Sequence, residues 1–457
     1  MTGELALERF ARELMSSRER RPGPSARRMA HRCLSDALAC AAAGVLTPAY
    51  ERARAAAGQL FGAGDATATV WFDAVPAPAL QAAFLNSVAV SAHDLDDGHR
   101  AAAGHPGEAV IPVVIAEAES QGLPDVDVLH AIVAGYEAGV RIAAARDTSA
   151  LNTLATGRWA GFAAAAVSCW IAGDDPGTAA AALAHAGSLS PQLIAPDPRR
   201  VDGLKEATPW GVTAGLAAAR LARAGIPAPT YLLEAHPDFR PERLGAVRVD
   251  HDAAILGTYF KRYSCCRWIH PVIDGLSAIR ARRKLRIDTV EQIEILTFGR
   301  SLTLSNVVRP QTTEEAHYSF PFCAALSLVR GPSALLPISA SSLHDAQVIE
   351  LADRVVVRAD PDLERLFPAN TPAIVRVYDG DEVHEKRMDT ARGDPGLPFR
   401  PQTLRAKHRR LLSHLPNGAT AVADALNTAG KTDLSALTTA LRATIHNDEG
   451  VPGGDLY

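Results

Sequence analysis

Cysteine is scarce in this chain: six in 457 residues, none of them in a Cys-x-x-Cys pair. That excludes a zinc ribbon and a disulfide framework, and it fits the reducing environment of a cytoplasm, the expected location. Aromatic residues are also few, at 5%. Neither sign of charge dominates, because Lys+Arg 47 against Asp+Glu 51 gives a formal net charge of −4. Without a concentrated basic face, neither nucleic acid nor an anionic membrane surface is an expected partner. No apolar run approaches the roughly 20 residues that span a bilayer; the most apolar window, Ala163 to Ala172, is far shorter. The opening stretch scatters Glu4, Glu8, Arg9, Arg12 and Glu13 where a secretory signal needs an unbroken apolar segment. The phosphate-binding GxxxxGK[ST] and strand-linked GxGxxG patterns are missing, and so is the Gly-x-Ser-x-Gly elbow.

What is present is a long, alanine-rich helical pattern. Leu129, Ile132, Val133, Tyr136 and Val140 form one stripe at helical spacing. Similar stretches run over 26–45, 78–92, 106–120, 158–172 and 209–224, the last stopped by Gly225-Ile-Pro227. After about Asp250 the character changes. Strand-forming runs occupy Val290–Phe298, Arg354–Arg358 and Ala373–Tyr378, and Asp379-Gly380 before Asp381–Lys386 signals a hairpin. Helices are expected between these strands over 270–283 and 315–329, and again over 402–412, 419–429 and 433–445. The expected fold is mainly α with an inserted α+β domain. Residues 1–262 would begin the helical domain, 263–398 form the insertion, and 399–457 return to the helices.

Four polar clusters interrupt the apolar background. His93-Asp-Leu-Asp-Asp-Gly-His-Arg100 with Gly104-His-Pro-Gly107 places three carboxylates and three imidazoles within thirteen residues. Any one of them could simply cap a flanking helix, but the cluster as a whole points to function. His105-Pro-Gly107 opens a helix, where backbone N–H groups can meet an anion. Lys205 precedes an apolar helix, although most lysines only solvate a surface. Lys261, Arg262, Arg267 and His270 make a positive spot suited to a carboxylate or phosphate, or else a basic surface loop. Ala155-Thr-Gly-Arg-Trp159 is a turn before an alanine helix. Cys265-Cys266 lacks further ligands at metal spacing, so packing is the better reading and no metal is expected.

In this order the clusters resemble the MmgE/PrpD family of 2-methylcitrate dehydratases, cis-aconitate decarboxylases and iminodisuccinate epimerases. The resemblance runs from about Ala30 to Arg400. It rests on His93-Asp-Leu-Asp-Asp97 with His105-Pro-Gly107, Gly135-Tyr-Glu137, Thr156-Gly157 with Trp159, Lys205, Lys261–His270, and Ala316-His-Tyr-Ser319. It implies a helical domain with an α+β lid, a homodimer, no cofactor, and a small-molecule carboxylate substrate. It places Asp94, His105, Lys205 and Lys261 in the catalytic site, with His99, Arg267, His270 and Thr156 binding substrate. Three positions depart from the pattern common in the family: Leu154 for a histidine, Gly98 for a threonine and Phe322 for a tyrosine. Each change removes a polar group from the expected pocket.

The shared chemistry is removal of a proton α to a carboxylate, which needs a positioned base and cations where negative charge accumulates. By the resemblance, His105 suits the base and the two lysines the cations, while Asp94 orients an imidazole or lysine. The leading expectation is a cofactor-independent lyase of the dehydratase type acting on a small polycarboxylate. An epimerase or isomerase needs fewer groups and stands next, with a decarboxylase beside it. Two readings from other classes rank lower. One is a magnesium-dependent helical synthase using Asp94-Leu-Asp-Asp97, which lacks a second metal-binding triad. The other is a binding protein without catalysis.

Overall fold

The computed structural model describes residues 3–62, 64, 67–123, 127–195, 203–282, 285–415, 422–423 and 433–442. Alanine-rich segments form a stack of helices: Pro24–Gly44, Ala79–Ser91, Pro106–Ser120, Val128–Ala144, Gly157–Ala172, Pro176–Leu189 and Thr208–Arg223. Their starts follow local chemistry. Proline opens the first turn at Pro24, Pro106 and Pro176, where a missing N–H costs nothing. The side chains of Asp127 and Asp175 accept hydrogen bonds from the first free N–H groups of their helices. Small residues let the axes approach closely. A Cβ on Gly215 would lie 2.2 Å from the Gly161 carbonyl oxygen, so the Gly157–Ala172 and Thr208–Arg223 helices cross almost backbone to backbone.

The helices expected over 26–45, 78–92, 106–120, 158–172 and 209–224 all form, within two residues at each end. Among the described residues three longer helices were not anticipated, Ala6–Ser16, Pro48–Phe61 and Pro176–Leu189, nor were the short ones at Leu232–Ala235, Ala346–Ala352 and Pro361–Glu364. In the first, Leu7, Phe10, Ala11 and Leu14 are buried at helical spacing while the intervening charges face solvent. The helix expected over 315–329 is a correction. It is broken into Thr313–His317 and Phe320–Val329, because Ser319 caps a new helix that carries Pro321 in its first turn. Of the helix expected over 419–429, only residues 422 and 423 are among those described. The last expected helix is Leu434–Leu441.

Among the described residues six strands form two sheets. Strands β1 (Gly98–His99) and β2 (Thr258–Tyr259) make a short antiparallel pair. The others are β3 (Val290–Thr297), β4 (Val355–Ala359), β5 (Ala373–Asp379) and β6 (Glu382–Met388), in the order β4-β3-β5-β6. Strand β3 runs parallel to β4 and antiparallel to β5, and β5 turns into β6 through Gly380 at φ 59°. Ile293, Ile295, Val375 and Val377 point into a core with the His270–Arg282 and Phe320–Val329 helices. On the opposite face Arg376 bridges Glu294 and Glu385 at 3.0 and 2.7 Å.

The described residues thus form two hydrophobic cores, one among the alanine-rich helices and one beneath the four-stranded sheet. Leu411, Leu412, Leu434, Leu437 and Leu441 join the first, so the chain returns to its N-terminal helices after the sheet. Lys407 fastens that return. Its buried ammonium lies 2.6 Å from Asp36 Oδ1 and donates to the Leu95 carbonyl at 2.7 Å. Among the described residues no single helix is long and apolar enough to cross a membrane.

Candidate active site

The segment after the Ala79–Ser91 helix turns sharply at Asp94, whose φ of 49° lies in the left-handed region. Such a conformation costs about 1–3 kcal/mol and persists where its surroundings dictate it. The β1–β2 pairing then lays Gly98–His99 against Thr258–Tyr259, just before Lys261. A Cβ on Gly98 would meet Tyr259 Oη at 2.3 Å, so Tyr259 requires a glycine there. Lys205 enters from a short turn in which Glu206 and Ala207 also have positive φ, 52° and 55°, ahead of the Thr208–Arg223 helix.

These elements converge on one carboxylate oxygen. Asp94 Oδ1 lies 2.7 Å from Lys205 Nζ, 2.6 Å from Lys261 Nζ and 3.5 Å from His105 Nε2. Lys205 Nζ is also 3.7 Å from Asp96 and 3.6 Å from Glu108. His105 Nδ1 faces the Asp97 carbonyl at 2.8 Å and Asp96 Oδ2 at 3.3 Å. A carbonyl can only accept, so the proton sits on Nδ1 and the neutral ring carries its free lone pair on Nε2. The backbone N–H of His105 donates to Thr156 Oγ1 (3.1 Å), and Thr156 donates to Glu206 Oε2 (2.9 Å). The anion at the start of the His105 helix is the chain's own: Asp97 accepts from Gly107 N (3.1 Å) and from the Tyr136 hydroxyl (2.6 Å).

Burial and charge act against each other here. Burial alone would raise the Asp94 carboxyl, but Lys205 and Lys261 outweigh it and hold Asp94 well below the usual carboxylate range. Burial would likewise lower Lys205, yet Asp94, Glu108 and Asp96 push it well above the usual ammonium value. For His105, burial and Lys205 favour the neutral ring, and Asp96 outweighs them, so its pKa is raised. Burial lifts the Asp97 carboxyl to about 7. It also raises Glu108, which accepts from the Thr208 hydroxyl at 2.7 Å.

A cavity of about 1100 Å³ opens beside this cluster. Asp94, His105, His99 and Arg267 line it; Lys205, Lys261, His270 and Thr156 do not. Both lysines are buried and face Asp94 instead. Arg267 is held at 2.6 Å by Asp394 and lies over the Tyr259 ring, so its carboxylate partner is internal. His270 is buried against Arg267 and the Cys265 carbonyl, and burial keeps it neutral, well below the usual imidazole value. Among the positions that depart from the family pattern, Leu154 lines the cavity and Phe322 is buried in the second core.

Glu206, Glu108 and Arg146 were not anticipated. Glu206 lines the cavity, binding the Thr156 backbone and hydroxyl through one oxygen and accepting from the Tyr318 hydroxyl (3.3 Å) through the other. The break at Tyr318–Ser319 is what brings that tyrosine to the cavity wall. Glu108 did leave a trace in the sequence, as a carboxylate in the first turn ahead of the apolar run Ala109–Ala116.

A family model for the MmgE/PrpD N-terminal domain matches residues 8–240, and one for the MmgE/PrpD C-terminal domain matches residues 263–427. The chain belongs to the MmgE/PrpD family. Members of this family are generally enzymes such as dehydratases. No curated protein matches the chain. Within this MmgE/PrpD site, Asp94, Asp96 and His105 offer ligand atoms close enough to share a cation. Lys205 and Lys261 already sit on Asp94 Oδ1, however, and a divalent ion there would face two ammoniums at ion-pair distance. That donor set does not fit magnesium, and the Asp97 side chain turns away to Tyr136.

Proposed function

We propose that this protein is a cofactor-independent lyase of the dehydratase type that removes a proton α to a carboxylate of a small polycarboxylate. The observation that carries this reading is His105. Its Nδ1 is tied to the Asp97 carbonyl, its Nε2 stands 3.5 Å from the ion-paired Asp94, and the residue lines the large cavity. Nε2 takes the proton, and Asp94 stabilises the imidazolium that forms. Lys205 and Lys261 keep Asp94 ionised beside Nε2, so a carboxylate is in place to face the imidazolium. Tyr318, held by Glu206 on the same cavity, supplies a hydroxyl for the leaving group. Burial keeps that hydroxyl protonated.

The same reading treats residues 263–398 as a lid over a helical domain built from 1–262 and 399–457, in a cytoplasmic homodimer. The epimerase alternative draws on Leu154 and Phe322, since that reaction needs only one base and one acid. Incubation in D2O with citrate, 2-methylcitrate, cis-aconitate and malate, followed by NMR, tests the proposal. Deuterium at an α-carbon with a new alkene supports the lyase, and deuterium with inverted configuration supports the epimerase. His105→Asn should slow exchange roughly 100–1000-fold without lowering the melting temperature. Undiminished exchange in that variant would remove His105 from the role of base.

A further inference from the structure

The cavity contains a cation that the reaction scheme does not use. Arg146 follows the Val128–Ala144 helix and is 3% exposed. Its Nε donates to the Ala143 carbonyl at 3.0 Å and its Nη2 to the Ala102 carbonyl at 2.8 Å. Nη1 is buried without a hydrogen-bond partner, yet Arg146 lines the same cavity as His105. Among the described residues no carboxylate lies within ion-pair distance of this guanidinium. The two nearest in effect are engaged: Asp238 binds Arg158 at 2.7 Å, and Glu206 is held by Thr156 and Tyr318.

Buried charges are paired almost without exception, because leaving water uncompensated is costly. A guanidinium with an idle donor at a cavity wall therefore calls for an anion from outside the chain. Arg300 strengthens the case. It lines the cavity too and donates only to the Thr148 and Leu151 carbonyls, at 3.0 and 2.8 Å, in the loop that follows Arg146. Burial lowers both guanidiniums from the usual value, the direction a bound anion would reverse.

We propose that Arg146, backed by Arg300, is the anchor for a substrate carboxylate remote from the carbon that His105 deprotonates. The inference rests on the proton-abstraction reading and names the residue that holds the substrate's second carboxylate. Arg146 holds Ala102 three residues before His105, and the His99–Gly104 backbone pair closes the loop between them. Anchor and base are therefore fixed to one short segment, so the anchored substrate presents its α-carbon at a set place.

Calorimetry with glutarate, a dicarboxylate with no hydroxyl to eliminate, reads binding without turnover. The intact protein should bind it about tenfold to a hundredfold more tightly than butyrate, which lacks the second carboxylate, as one charge-assisted hydrogen-bonded contact would give. Arg146→Gln should erase that preference, and Arg146→Lys should restore part of it. The butyrate comparison needs no variant, so it stands even if Arg146→Gln fails to fold. Equal affinity for the two acids, unchanged affinity in a folded Arg146→Gln, or loss of inorganic phosphate binding alone would each overturn the proposal. His105→Asn should keep glutarate affinity while losing deuterium exchange. Binding without exchange in the intact protein would sink the reaction and leave the anchor. Exchange with unaltered binding in Arg146→Gln would do the reverse.

Discussion

Asp94→Asn isolates the charge at the centre of the site. Asparagine has nearly the same shape and is among the residues that best tolerate positive φ, so the turn at 49° should survive. What disappears is the negative charge between two ammoniums. Lys205 keeps Asp96 and Glu108 at 3.7 and 3.6 Å, but Lys261, fully buried, has no other carboxylate at ion-pair distance among the described residues. Removing one partner of a buried ion pair costs about 3–5 kcal/mol, against a total stability of about 5–15 kcal/mol. Replacing both partners is far cheaper, because no charge is stranded. Lys261→Met added to Asp94→Asn should therefore recover most of the loss, with a coupling energy of about 2 kcal/mol or more. Urea unfolding followed by circular dichroism on the parent, both single variants and the double variant at pH 7 gives the full cycle. Single-variant losses that simply add, or an Asp94→Asn variant within about 0.5 kcal/mol of the parent, would refute the ion-pair account of the site.

Two further outcomes follow from the titrating groups. The proposed base, His105, can take a proton only when neutral and its pKa is raised, so kcat/KM should climb with pH through a midpoint above the ordinary 6.5; the same limb in the residual activity of His105→Asn would assign it to another group. Burial pushes the Cys266 thiol up to about 12, so Cys266→Ala should retain most activity, and iodoacetamide at neutral pH should barely inactivate the enzyme; rapid inactivation prevented by Cys266→Ala would show a reactive thiolate.

The helices were legible because small apolar residues recur at helical spacing and proline or aspartate marks their starts. The strands of the four-stranded sheet were legible through β-branched runs such as Val355–Val357, whereas the short β1–β2 pair left no such run. The cluster around Asp94 and His105 was visible as a local concentration of polar residues, whereas its wiring was not. Sequence shows that Lys205 and Lys261 carry charge, but not that both aim it at Asp94 rather than at a substrate. Arg146 looked like any arginine at a helix end, since burial is a property of the whole fold. The break at Tyr318 was hidden because Ala316 and Phe320–Val329 continue an apolar pattern across it. Only the capping role of Ser319 and the proline after it reveal the stop.

The convergence of Asp94, Lys205 and Lys261 bears on how the protein matures. The three residues are far apart in the chain, and the cavity wall draws on equally distant segments, with Arg146 and Leu154 from one half and Trp268 and Tyr318 from the other. Contacts between distant segments form late, after the entropy of closing long loops has been overcome. A partly folded or nicked chain therefore has an unsupported imidazole and scattered charges, and the proposed proton abstraction should fail in it. If the proposed reaction holds, its rate becomes a strict gauge of molecules in which these segments have docked.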